Sequence, residues 1–88
     1  MIVKIDKAFE KDVRKIKDAQ ILSAIYQVII ELQSTQKHSD IQNLKKLQGG
    51  KNLYRIRVGD YRIGLIINTQ EAELIRFLHR KDIYRFFP

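Results

Sequence analysis

The chain has no cysteine, two histidines, and only ten acidic residues against 17 lysines and arginines. Without cysteine there is no disulfide framework and no thiolate metal site, and two isolated histidines do not assemble a zinc centre without carboxylates placed for it. A metal-free protein without a cofactor is expected. No apolar run approaches the roughly 18 residues that span a bilayer, and Met1 to Asp6 has no signal-peptide hydrophobic region. The expected compartment is the cytoplasm, without membrane contact. Repeats, low-complexity runs and domain linkers are also missing. With 88 residues, 44% of them hydrophobic, the chain reads as one domain over residues 1–88 with a single modest core.

The shortage of acid leaves a formal net charge of +7. A field of that sign concentrates nucleic acid or acidic protein near the surface. The two kinds of cation are not mixed evenly: residues 1–50 hold eight of the ten lysines, while six of the seven arginines lie between Arg55 and Arg85. Lysines on helices usually mark a solvated face, whereas the planar arginine fork matches phosphate oxygens two at a time. The second half is therefore where binding chemistry is sought.

Ile2, Val3 and Ile5 form a short β-prone run ending at Asp6, which suits a helix N-cap. Phe9, Val13 and Ile16 then recur at helical spacing. Asp18 is placed to cap a second helix, in which Ile21, Leu22, Ile25, Val28, Ile29 and Leu32 make the strongest periodic stripe of the chain. Gln33 to Asp40 reads as a loop, and Ile41, Leu44 and Leu47 anchor an irregular passage to Gly49 and Gly50. Beyond those glycines the period becomes two. Leu53 to Val58 and Tyr61 to Ile67 predict strands joined by Gly59 and Asp60 in a II′ turn. That turn pairs Val58 with Tyr61, Arg57 with Arg62, Ile56 with Ile63, Arg55 with Gly64 and Tyr54 with Leu65. A further strand from Ala72 to about His79 is expected to turn Ile75 and Phe77 to the core and Arg76 to the basic side. A short helix from Lys81 to Phe87, closed by Pro88, ends the chain. The fold class is α+β: an antiparallel sheet packed against an N-terminal helix pair, in the order β-α-α-β-β-β.

Arg55, Arg57, Arg62 and Gly64 fall on one face of the hairpin. Like charges placed opposite each other cost about 0.2–1 kcal/mol, so the Arg57–Arg62 pair points to a negative ligand. Gly64 in a strand interior marks a place where another backbone approaches closely. Together these features describe a phosphate-binding groove, to which Arg76, Lys51 and Lys81 add charge. Arginine stabilises developing negative charge but is no general base. Proton transfer falls to Tyr84, His79 or Lys51. On a helix, Arg80 and Tyr84 share a face, and a phenol among arginines suits proton transfer. Strand alternation turns His79 toward the core.

The segments LYRIRVGDYRIGL and FLHRKDIY, in this order of elements, resemble the RelE-like toxins of the RelE/ParE superfamily along essentially the whole chain. The resemblance implies a toxin that cuts mRNA codons in the ribosomal A site without a metal, by attack of the RNA 2′-hydroxyl on the adjacent phosphate. It implies ribosome and mRNA as targets, and an acidic, partly disordered cognate antitoxin whose complex with the toxin binds operator DNA. Carried over by position, Arg55 and Arg57 are the basic residues of the first hairpin strand, Arg62 the arginine of the YR pair, and Arg80 and Tyr84 the terminal pair. Well-known ribonuclease members carry lysine where this chain has Arg55 and Arg57, which leaves the proton acceptor open and gives His79 a possible share. Two other readings stand beside it: a ParE-type inhibitor of DNA gyrase, which shares the fold and acts by protein contact but lacks this catalytic set, and an RNA-binding module that does not cleave.

Overall fold

Two aspartates start the two long helices of the computed structural model, which describes all 88 residues. Asp6 accepts from the Ala8 amide at 3.0 Å and opens α1, Lys7–Arg14. Asp18 accepts from the Gln20 and Ile21 amides at 2.8 and 3.4 Å and opens α2, Ala19–Ser34. Each cap satisfies amides the helix itself leaves free. The α1 stripe buries Phe9, with Val13 and Ile16 packed beside the core. The α2 stripe buries Ile25 and Leu32 and rests Ile21, Val28 and Ile29 on the core, but Leu22 stays exposed at the margin.

The strands are β1 (Ile2–Ile5), β2 (Leu44–Lys46), β3 (Leu53–Val58), β4 (Tyr61–Asn68) and β5 (Glu71–His79), and α3 (Ile83–Phe86) follows. They form one sheet in the order β1-β5-β4-β3-β2. From β2 to β5 every pairing is antiparallel, whereas β1 joins β5 in parallel. The reason is topological: both helices and β2–β4 separate β1 from β5 in the chain, so no hairpin turn constrains the pair to be antiparallel. Gly59 has φ 58°, in the left-handed region a II′ turn requires at that position. All five expected cross-strand pairs of the hairpin form, and Leu53–Ile66 adds a sixth.

Three expectations need correction. Leu44–Lys46 is an edge strand on β3, not an irregular passage; three residues are too few for a period to show. In β5 the register slips, with Gly64 opposite Arg76 but Leu65 opposite Leu74, so Ile75 is an extra residue and alternation breaks there. Phe77 and Leu74 enter the main core, while Ile75 goes to the opposite face. Arg76 does not lie on the basic side. Its Nε and Nη2 donate to the Asp12 carboxylate on α1 at 2.7 and 3.1 Å, and the Phe77 amide donates to the same carboxylate at 3.0 Å. This bond to Asp12, against a burial cost, raises the Arg76 pKa.

The third correction concerns Gly64. No second backbone approaches it; a Cβ there would lie 2.7 Å from the ring of Phe87. The sheet face away from the helices thus carries its own small core of Leu47, Leu53, Ile83 and Phe87, flanked by Ile66, Ile75 and Leu78. The C-terminal turn covers that half of the face and leaves the other half to the arginines.

Candidate nucleic-acid interface

Arg57 and Arg62 stand opposite each other next to the Gly59–Asp60 turn. Arg57 is exposed and its side chain makes no hydrogen bond or ion pair within the protein. Arg62 is half-buried, and its Nη1 donates to the Gly59 and Tyr61 carbonyls, both at 2.9 Å. Arg55 donates from Nη1 to the Asn43 carbonyl at 3.1 Å, while its enclosed Nε has no acceptor. Asn43 sits at φ 62°, a left-handed conformation that asparagine tolerates better than most side chains.

Electrostatics tie the expected group together. The Arg62 pKa is lowered, first by burial, then by the neighbouring charges of Arg55 and Arg57 and more weakly by Arg80, while Tyr84 acts in the opposite sense. Arg55, Arg57, Arg62, Arg80 and Tyr84 therefore share one neighbourhood, although they come from β3, β4, the exit of β5 and α3. No carboxylate forms an ion pair with any of these arginines. Tyr84 is 60% exposed, so its ring stands open to an incoming molecule. The Arg80 amide donates to the Asp60 carbonyl at 2.7 Å, which fixes the end of β5 to the hairpin turn.

The other expected site residues lie elsewhere. Arg76 is held by Asp12 on the helix side. His79 stacks edge-on against Tyr61, itself packed on the main core, and its Nδ1 accepts from the Lys81 amide at 3.2 Å. That puts the imidazole on the face opposite the arginines. Lys51 lies in the turn before β3, at the end away from the Arg57–Arg62 pair. Lys81 stays beside Arg80 as an exposed side chain without an ion pair.

One residue of this face escaped the sequence reading. Lys45 is the register partner of Arg55, and since Leu44 beside it packs on the main core, Lys45 projects to the arginine side. Its signal was hidden with the strand that carries it. Lys45 and Lys46 also form one wall of a cleft of about 390 Å³, with Tyr84 and Phe87 on the other. No three His, Asp or Glu side chains converge anywhere to hold a metal ion.

The family model for the ParE toxin of the type II toxin–antitoxin system parDE matches residues 3–84. Toxin RelE3 of Methanocaldococcus jannaschii is 40% identical over 89 residues, which span the full length of both chains. In the crystal structure of a RelB–RelE antitoxin–toxin complex from Methanococcus jannaschii, one chain superposes with a TM-score of 0.80 at 38% identity, covering 97% of this chain and 99% of that one. A chain of the archaeal RelE–RelB complex from Pyrococcus horikoshii has a TM-score of 0.72 at 24% identity over 90% of this chain and 93% of that one, a likeness of fold.

Proposed function

Because the chain belongs to the ParE-toxin family of type II toxin–antitoxin systems and is RelE-like along its length, we propose that this toxin is a metal-independent, ribosome-dependent mRNA endoribonuclease. One observation carries the reading: four arginines and Tyr84 gather in a single neighbourhood, and none of the arginines has a carboxylate partner. Such a face is suited to a chain of phosphates.

In this reading Arg55 and Arg57 hold the RNA backbone. The 2′-hydroxyl oxygen attacks the adjacent phosphorus, the bond from phosphorus to the 5′ oxygen breaks, and a cyclic phosphate and a 5′-hydroxyl result. Negative charge grows on the phosphoryl oxygens, where Arg62 and Arg80 stabilise it more than they stabilise the ground state. One proton must pass from the 2′-hydroxyl to the leaving oxygen. Arginine does not exchange it. Tyr84 is the member of the group that does, and His79, on the far face, is not needed.

The Methanococcus jannaschii and Pyrococcus horikoshii structures are complexes with the antitoxin RelB. We assign this toxin an acidic antitoxin of its own, the ribosome and mRNA as targets, and operator DNA as the ligand of the toxin–antitoxin complex. No helix is long and apolar enough to cross a membrane, and a ribosomal target puts the protein in the cytoplasm. The second reading, gyrase inhibition by protein contact, draws on the ParE description of the matching family. Induction in bacteria with mapping of mRNA ends separates the two. Codon-phased cuts that vanish in Arg80→Ala and Tyr84→Phe, with both variants still folded, are expected. Gyrase-dependent DNA breaks beside intact mRNA would establish the second reading, and unchanged cutting in both variants would exclude the site.

A further inference from the structure

Lys45 and Arg55 face each other across β2 and β3, as Arg57 and Arg62 do across β3 and β4. Two like-charge pairs thus adjoin on one face, and Lys45, like the arginines, forms no ion pair. The two pairs do not have the same surroundings. On the β4 side of Arg55 the place over Gly64 is filled by the Phe87 ring, 3% exposed. A polyanion leaving the Arg57–Arg62 pair is blocked there, and the nearest cleft on the β2 side is the one that Lys45 lines. Lys45 is the diagonal neighbour of Arg57, about 7–8 Å away for such a pair and within reach of a long side chain. Between Lys45 and the exposed Tyr84 ring lies the cleft of about 390 Å³.

From this arrangement we infer that the cleft is a nucleotide subsite next to the scissile phosphate, in which Lys45 holds the neighbouring phosphate. The inference rests on the mRNA-cleavage reading. Lysines on an edge strand also discourage strand addition, and that role alone would require no ligand contact.

The test is equilibrium binding of an uncleavable 2′-O-methyl RNA oligonucleotide over a range of salt. Lys45→Gln is compared with Lys11→Gln, which removes the same charge from an exposed position on α1. Lys45→Gln should reduce the slope of log affinity against log salt by about 0.7, the value of one phosphate contact on a single strand. Lys11→Gln should leave the slope unchanged. Adding one nucleotide at the end that enters the cleft should tighten binding to the wild type and to Lys11→Gln but not to Lys45→Gln. Equal slopes in the two variants would overturn the subsite while leaving the arginine site standing. Salt-independent or absent binding by the wild type would overturn both. If Lys45→Gln weakened only the complex with the acidic antitoxin, the cleft would be a protein contact and the nucleotide assignment would fall.

Discussion

Arg57 and Arg62 are equivalent in register but not in what they hold. Arg57 is exposed and free of internal bonds, whereas Arg62 ties down the Gly59 and Tyr61 carbonyls. Neutralising either one relieves the repulsion of a facing pair, about 0.2–1 kcal/mol. Arg57→Gln should therefore melt at the wild-type temperature or slightly above. Arg62→Gln gains the same relief but loses two bonds around the hairpin turn, each with a net value of about 0.5–1.5 kcal/mol, and should be less stable by about 1 kcal/mol. Burial and neighbouring arginines disfavour the charged form of Arg62, and an incoming phosphate reverses that balance. Both variants should accordingly lose RNA affinity, with cleavage falling further because charge in the transition state is less stabilised. Denaturant melts and salt-dependent RNA binding check the pair. An Arg57→Gln variant that is clearly destabilised yet binds RNA normally would mean that the arginine face is structural.

The C-terminal turn turns a sheet face into a bounded site. Its anchor is Phe87, whose ring occupies the space that Gly64 leaves and whose amide donates to the Ile83 carbonyl at 2.9 Å. In Gly64→Ala the new Cβ would meet the base of that ring, so the ring must leave. Phe87→Ala empties the same position; truncations of this kind cost about 3–5 kcal/mol in a full core. At the end of the chain the loss should be local. Hydrogen exchange at residues 83–87 should accelerate in both variants while the central strands keep their protection, and cleavage should drop because Tyr84 is no longer held. Protected 83–87 amides and full activity in Gly64→Ala would rule out this role. The helix caps, the hairpin register and the arginine pair were all legible in the sequence, since each follows from local spacing and a turn of known geometry. The second small core was written there too, in Leu53, Ile66 and Leu78 at positions where alternation on one wet face would place polar residues. What stayed hidden depends on partners distant in the chain: the three-residue strand around Lys45, the slip that sends Arg76 to Asp12, and the ring over Gly64.

At the scale of the whole molecule, charge and apolar surface are separated. The chain carries a net charge of +7, yet α2 has Glu31 as its one charged residue and leaves Leu22, Tyr26 and Ile30 exposed at four-residue steps. An acidic antitoxin meeting such a protein is drawn first by the field, which acts at a distance and is screened by salt. It is then held by contacts that exclude water. The two stages should respond to different substitutions. Arg57→Gln should slow association and flatten its dependence on salt, with little change in dissociation. Tyr26→Ala should speed dissociation and leave association unchanged, since it alters no charge. Stopped-flow or surface-capture kinetics with the proposed acidic antitoxin would measure both rates. If Tyr26→Ala left dissociation unchanged, the stripe on α2 would lie outside the interface. If no acidic chain encoded beside this protein bound and neutralised it, the acidic-antitoxin assignment would fall.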